Sequence, residues 1–452
     1  MRALPVAVVI LLLLAPVAGV IPPAAAGTQD SVGSSDALDS VGSTPSAPTS
    51  AAPASAAPPS LALDGGQSHP APQQVDDANL TFRTLSTPDG VESRTGSTAR
   101  GANIGPSLDF SVDEANAAME TAGVVQRIEG AETSTERQRR ILAAINQIER
   151  DEVSLNSRQT EAFSAHASGE LSNRELLDEL VRIAATAREY DQRLEELDAL
   201  AEETDGFSSP TRLDELQVAL QVYEGPVRSH ALATARGETG PADIHVASTS
   251  ESIVLSTIVD GEYVREVFRV DRWDRGGGSI SNDDAIEATS AAYPETASLR
   301  EPDAFGAGSV QRITIPHEFG LLRTFVSGGT EAVFVEHQRI DLGTFPDTDS
   351  VAEAGDGFNV TVDRSYAGGP VTVTVLDDET GEPVSDVTVT KSVGDGDSRA
   401  IGSTDSDGVV RTLSPASSYR ITVVDEPRVV VVDGIEPIAT PSPIENGTAS
   451  NG

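Results

Sequence analysis

Residues 172–200 read SNRELLDELVRIAATAREYDQRLEELDAL, and this stretch decides the fold of the middle of the chain. Ser172-Asn173-Arg174-Glu175 has capping-box spacing, in which a hydroxyl and a carboxylate satisfy the first free amides of a helix. Behind it Leu176, Leu180, Ile183, Ala187, Tyr190, Leu194 and Leu197 recur at alternating steps of four and three. Such a heptad seam needs an apolar partner along its whole length. The preceding segment supplies one. Thr133-Ser134-Thr135-Glu136 is a second box, opening a helix to about Ala167 with Ile141, Ile145, Ile148 and Leu155 on its stripe, and Gly169 ends it. A turn this short between two long helices forces an antiparallel hairpin. The seam is therefore covered within the chain first, with self-association through the hairpin as its second use.

Reading outward, a third box at Ser111-Val112-Asp113-Glu114 opens a segment with Ala115, Met119, Ala122 and Val125 on one side. A further helix from Pro210 carries Leu213, Leu216, Leu220 and Tyr223 and stops near Gly225-Pro226. These helices make a domain over 108–236. The texture then changes to period-two strands. Residues 253–259 and 263–270, joined by Asp260-Gly261-Glu262, read as a hairpin, followed by Gly276-Gly277-Gly278, a short helix over 283–292, and strands over 310–315 and 331–340. The order ββαββ predicts a small α+β domain over 241–345. Alternating runs such as Val371-Thr372-Val373-Thr374-Val375 predict an all-β sandwich over 358–433, followed by a disordered tail over 434–452. The fold class is thus multidomain: a helical hairpin, a small α+β domain and a C-terminal sandwich.

The first residues set the compartment. Arg2, an apolar run from Val6 to Ile21 and Ala24-Ala25-Ala26 have the parts of a secretory signal over 1–26. No other stretch is apolar enough to span a membrane. Residues 27–107 are rich in Ser, Thr, Ala and Pro, a composition that buries too little apolar surface to order itself, and they read as a disordered linker. Sequons place candidate glycosylation acceptors at Asn79, Asn359 and Asn446. The expected location is extracellular or on the cell surface.

Charge sets the medium. There are 71 acidic and 31 basic residues, net −40, with one lysine, Lys391, and no cysteine. The acids are spread along the chain. Self-repulsion on this scale weakens a compact state in dilute buffer, and molar salt screens it. The pattern points to a salt-loving organism and argues against nucleic acid as a partner.

Two resemblances follow. Gly381-Glu382-Pro383-Val384, Thr404-Asp405-Ser406-Asp407-Gly408, Leu413 and Tyr419-Arg420-Ile421-Thr422-Val423 make the last domain resemble the carboxypeptidase-regulatory-like group of Ig-like or transthyretin-like sandwiches. That likeness implies a non-catalytic spacer or binding module of extracellular proteins. Residues 110–345, through Glu136-Arg137-Gln138-Arg139-Arg140-Ile141-Leu142 and Gly169-Glu170-Leu171-Ser172, look like a family of uncharacterised haloarchaeal surface proteins.

The sequence holds no His-Glu-x-x-His, Gly-x-Ser-x-Gly or phosphate-loop motif, and no catalytic residue, cofactor or metal set is assigned. The nearest approach to a metal set is His317-Glu318 with His337. Asp377-Asp378-Glu379, Asp395-Gly396-Asp397, Asp405 and Asp407 could offer oxygens to calcium but read first as a solvated rim. Trp273 reads as closing the core of the small domain at a strand end. The expected function is a non-enzymatic secreted or envelope protein, a structural or binding module for an envelope protein or glycan. The alternative is a secreted hydrolase or a protease-associated, inhibitor-like protein. A cleft gathering His317, Glu318 and His337 would favour the alternative.

Overall fold

The computed structural model describes residues 81–345 and 349–444. The expected signal, most of the expected linker, Asn79 and Asn446 lie outside them. Eight strands form one antiparallel sheet: β1 (Arg94–Arg100), β2 (Ala242–Thr249), β3 (Ser252–Val259), β4 (Glu262–Arg269), β5 (Asp303–Phe305), β6 (Val310–His317), β7 (Gly320–Ser327) and β8 (Ala332–Asp341). Their order is β1-β2-β3-β4-β8-β7-β6-β5. This corrects the ββαββ expectation. The strand β1, RTGSTAR, lies within the expected linker and offers no apolar pattern of its own. It forms because it pairs with β2, Arg94 opposite Ser248 and Arg100 opposite Ala242. Its Arg100 is buried and ion-paired to Asp178.

Helices α1 (Ile104–Glu129), α2 (Ser134–Ser168), α3 (Asn173–Glu202), α4 (Arg212–Gln221) and α5 (Pro226–Arg236) lie against one face of the sheet. The antiparallel hairpin is α2–α3. Gly169 closes α2 at φ 88°, in the left-handed region, and the capping box of Ser172 and Glu175 is formed in both directions. Every seam residue of α3 except the partly buried Tyr190 is buried. The stripe expected on α1 is corrected: Ala115, Met119 and Ala122 are exposed, and the helix buries Phe110 and Ile128 instead. The helix also starts earlier, capped by Asn103, so Ser111 lies inside it and donates to the Ser107 carbonyl. Gly225-Pro226 does stop the preceding segment, but it also opens α5, with Pro226 at the first helical position.

Helices and sheet share one core. Phe163 of α2 meets Phe268 of β4 at 6.1 Å, and Trp273 stacks on Phe334 of β8 at 4.8 Å. On the opposite face α6 (Asn282–Ala292), α7 (Pro294–Leu299) and Leu85 cover Ile313, Ile315, Leu322 and Val326. The helical and α+β parts are therefore layers of one body.

The sandwich pairs β9 (Ser350–Gly355), β10 (Phe358–Asp363), β11 (Pro370–Asp377) and β14 (Val409–Leu413) in one sheet, ordered β14-β11-β10-β9. The other sheet holds β12 (Thr388–Val393), β13 (Arg399–Ser403), β15 (Tyr419–Asp425) and β16 (Arg428–Ile435), ordered β13-β12-β15-β16. The expected start at 358 omits β9. The tail is also ordered over its described part. Ile438 bridges to Tyr366, the Pro441 carbonyl accepts from the Thr84 amide at 2.8 Å, and the Ile444 amide donates to the Ala292 carbonyl at 3.0 Å.

Candidate functional site

Strand parity decides the fate of the histidine pair. His317 of β6 lies opposite Gly320 of β7, which lies opposite Ile340 of β8. His337 is three residues from Ile340, and an odd offset puts two strand side chains on opposite faces. Contacts agree. His317 stacks on Phe82 at 5.4 Å, whereas His337 meets Phe325 of the helix-side core at 5.7 Å. Glu318 is exposed. The three do not converge, and among the described residues no group of three or more His, Cys, Asp or Glu side chains is placed to hold a metal. Burial lowers the pKa of His317 to about 4, and burial followed by nearby Arg323 and Arg228 holds His337 well below its ordinary value.

The acidic turns serve their own backbones. Asp377 Oδ1 accepts from the Glu379 amide at 3.1 Å and from the amide and hydroxyl of Thr380 at 2.9 and 3.0 Å. Asp405 Oδ1 accepts from the amides of Asp407 and Val409 at 3.0 and 2.9 Å. Trp273 meets Phe268 as well as Phe334, with the Arg275 guanidinium 4.5 Å from its ring centre. Of the sequon asparagines, Asn359 is described and is exposed on β10.

Three buried ionic groups were not legible, because a charged residue inside a strand or helix pattern normally reads as its solvent face. Glu266 of β4 takes the Arg228 guanidinium at 2.7 Å and the Val227 amide at 2.9 Å, so one carboxylate closes both an ion pair and the first turn of α5. Glu336 of β8 accepts from the Thr84 hydroxyl at 2.7 Å, the Leu85 amide and the Tyr293 hydroxyl at 2.6 Å each, and lies 3.9 Å from Arg265. Arg265 in turn donates to the Leu85 carbonyl at 2.6 Å. Glu152 of α2 accepts from the Tyr223 hydroxyl at 2.7 Å and from Arg275 at 2.8 Å. These carboxylates are saturated by donors. They fasten the helices, the sheet and the segment over 82–87 to one another.

The sandwich is fastened as well. The Gly368 carbonyl accepts from the hydroxyls of Ser256 at 2.6 Å and Tyr263 at 3.0 Å. A Cβ on Gly368 would lie 2.6 Å from the ring of His245, whose pKa burial lowers to about 3.

One open cleft of about 370 Å³ lies between the start of α5 and strands β7 and β8. Leu321 with Arg339 and Arg323 with His337 are cross-strand pairs on its sheet side. Glu224, Pro226 and Ser229 line the helix side.

Three family models match the chain. A domain of unknown function, DUF7096, matches residues 1–240; a family of unknown function, DUF7094, matches 244–346; and an archaeal fibronectin-III type-like domain matches 349–432. None of the curated proteins and none of the solved structures compared with the chain matches it. The Ig-like character expected of the last domain thus stands in its fibronectin-III-like form.

Proposed function

We propose, because this chain belongs to the DUF7096 family and closes on an archaeal fibronectin-III type-like domain, that it is a non-enzymatic structural and binding module exported to the envelope of a salt-loving archaeon. The observation that carries this reading is the junction at Gly368. A sandwich strung on a free linker would move independently. Here its loop is bonded to two strands of the central sheet, and the segment over 438–444 runs back across that sheet domain. An assembly held in this way transmits force between its parts. The signal-like first residues, the net charge of −40 and the exposed Asn359 support an exported, glycan-bearing protein. The likeness of the sandwich to carboxypeptidase-regulatory-like domains supports a spacer role in the same sense. The hydrolase alternative has no support from the feature chosen to favour it, since His317 and His337 occupy opposite faces.

The test is fractionation of a native culture followed by cross-linking and mass spectrometry. The expected result is recovery of the chain in the envelope or medium, cross-linked to an envelope protein or glycan, with a hexose-bearing peptide covering Asn359. Recovery in the cytosol with the first 26 residues intact overturns the export half of the proposal.

A further inference from the structure

The cleft beside α5 is a local inversion of the charge of the protein. In a chain of net charge −40, its sheet side presents Arg323 and Arg339 with His337 between them. Among the described residues Arg323 has no ion-pair partner, and its Nε is buried without a hydrogen-bond acceptor. Arg339 reaches only the exposed Glu262, at 3.8 Å. Arg312, on the neighbouring strand, adds a further positive charge and hydrogen-bonds a neutral partner, Gln221. The one acid lining the cleft, Glu224, meets Arg188 through Oε2 at 3.4 Å while its Oε1 is buried without a donor, and the same arginine donates to the Ser229 hydroxyl at 3.1 Å. Like charges gathered this way repel one another: burial, then nearby Arg339, depresses the pKa of Arg323, and Glu224 only partly opposes them. An anion placed between them removes that repulsion and gives the guanidinium fork its acceptor.

The walls define the rest of the ligand. A space of about 370 Å³ exceeds what an inorganic ion fills, and Leu321 and Pro226 supply apolar contact beside the charges. We infer that this cleft binds a small organic carboxylate, its charge held by Arg323 and Arg339 and its apolar body against Leu321 and Pro226. This assignment is independent of export and goes beyond the structural role proposed above.

Equilibrium dialysis of the full chain in molar sodium chloride, with labelled benzoate as probe and benzyl alcohol as the uncharged probe of the same body, tests it. Saturable binding of one benzoate per chain is expected, with no saturable uptake of benzyl alcohol. Arg323→Gln should weaken benzoate at least tenfold. Arg339→Gln, at an exposed position where folding is not at stake, should weaken it several-fold. Absence of saturable benzoate binding, equal uptake of benzyl alcohol, or an affinity unchanged in Arg339→Gln overturns the assignment.

Discussion

Glu266 is held in place by an absence. Gly225 leaves the space its carboxylate occupies, since a Cβ there would fall 1.8 Å from Oε2. The backbone of Gly225 is extended at φ −76°, so the glycine is required by space and not by conformation. Gly225→Ala is therefore expected to displace the carboxylate from Arg228 and from the α5 amides. Overpacking alone costs about 1–3 kcal/mol, and breaking a buried pair costs about 3–5 kcal/mol. A double-mutant cycle with Glu266→Ala, read by denaturant midpoints in molar salt, checks the cause: the Gly225→Ala penalty should shrink sharply once the carboxylate is gone, and equal penalties in both backgrounds would place the damage elsewhere. His245 gives the pH counterpart. Its pKa falls from the ordinary 6.5 to about 3 on folding, so the unfolded chain binds the extra proton. The stability it contributes is fully present above pH 6.5 and is lost as pH falls toward 3, with a limiting slope of about 1.4 kcal/mol per pH unit. Asp191 works in the opposite sense, its carboxyl being raised to about 6 by burial and then by Glu195, so its protonation below that pH favours the fold. Because the two overlap, the informative measurement is a difference. His245→Asn should flatten the acid limb of a melting-temperature profile relative to the parent, and parallel profiles would refute a neutral buried imidazole.

At the scale of elements, what was legible follows from who supplies the apolar pattern. Helices α2 and α3 carry their own caps and stripes, and they form within a residue or two of where the sequence places them. The hairpin β3–β4 is equally self-announcing, with a turn at Asp260-Gly261 whose residues both take positive φ. By contrast β1 is a polar strand fixed by its backbone pairing, and no periodicity in RTGSTAR betrays it, whereas the alternation Ala242-Asp243-Ile244-His245-Val246 of β2 was legible and went unread. The site suffers the same way. The histidine pair looked adjacent because two strands were expected where three exist; β7 separates β6 from β8, and the register sets His317 level with Ile340, three residues from His337, so the two histidines face opposite ways. The sandwich offers a direct test of boundaries. Its core, from Phe358 through Val373, Val389, Ile421 and Val432, is closed within itself, while Tyr366 and Leu413 belong to the junction cluster. A fragment over 349–438 should fold alone in molar salt and keep its melting temperature when a chelator is added, because Asp377 and Asp405 each already commit Oδ1 to backbone amides of their own turns. A fragment over 358–433 should melt several degrees lower, having lost β9 and Ile435. A large chelator effect on the longer fragment would make the acidic turns a calcium site after all.

For the whole molecule, burial and charge pull against each other, and salt sets the balance. The interior is ordinary: apolar side chains from five helices and six strands close one core, and the buried carboxylates Glu152, Glu266 and Glu336 are each satisfied by donors. Nothing inside needs brine. The surface does. Exposed ion pairs such as Arg420–Asp433 add little to stability in water, and on α1 the exposed Asp109 and Asp113 have no ion-pair partner among the described residues. With 31 basic residues against 71 acidic ones, the arginines are too few to neutralise the net charge of −40, and screening by salt is the expected compensation. The screening length is about 10 Å at 0.1 M salt and about 3 Å at 1 M, so neighbouring carboxylates that ignore each other in brine repel across the surface in dilute buffer. Dialysis from molar potassium chloride to low ionic strength should accordingly abolish the near-ultraviolet circular dichroism of the aromatic cluster around Trp273, Phe268 and Phe334. Adding back salt should restore it along a sigmoidal curve, and neutralising surface acids on α1, as in Asp109→Asn with Asp113→Asn, should move that midpoint to lower salt. The buried pairs predict the reverse contrast: Glu266→Ala should lower stability at every salt concentration without moving the electrostatic midpoint by the same route, since a pair only 3% exposed is poorly reached by ions. A melting transition indifferent to ionic strength would mean that the surface charge is stored without repulsion, and the brine reading of this sequence would fall with it.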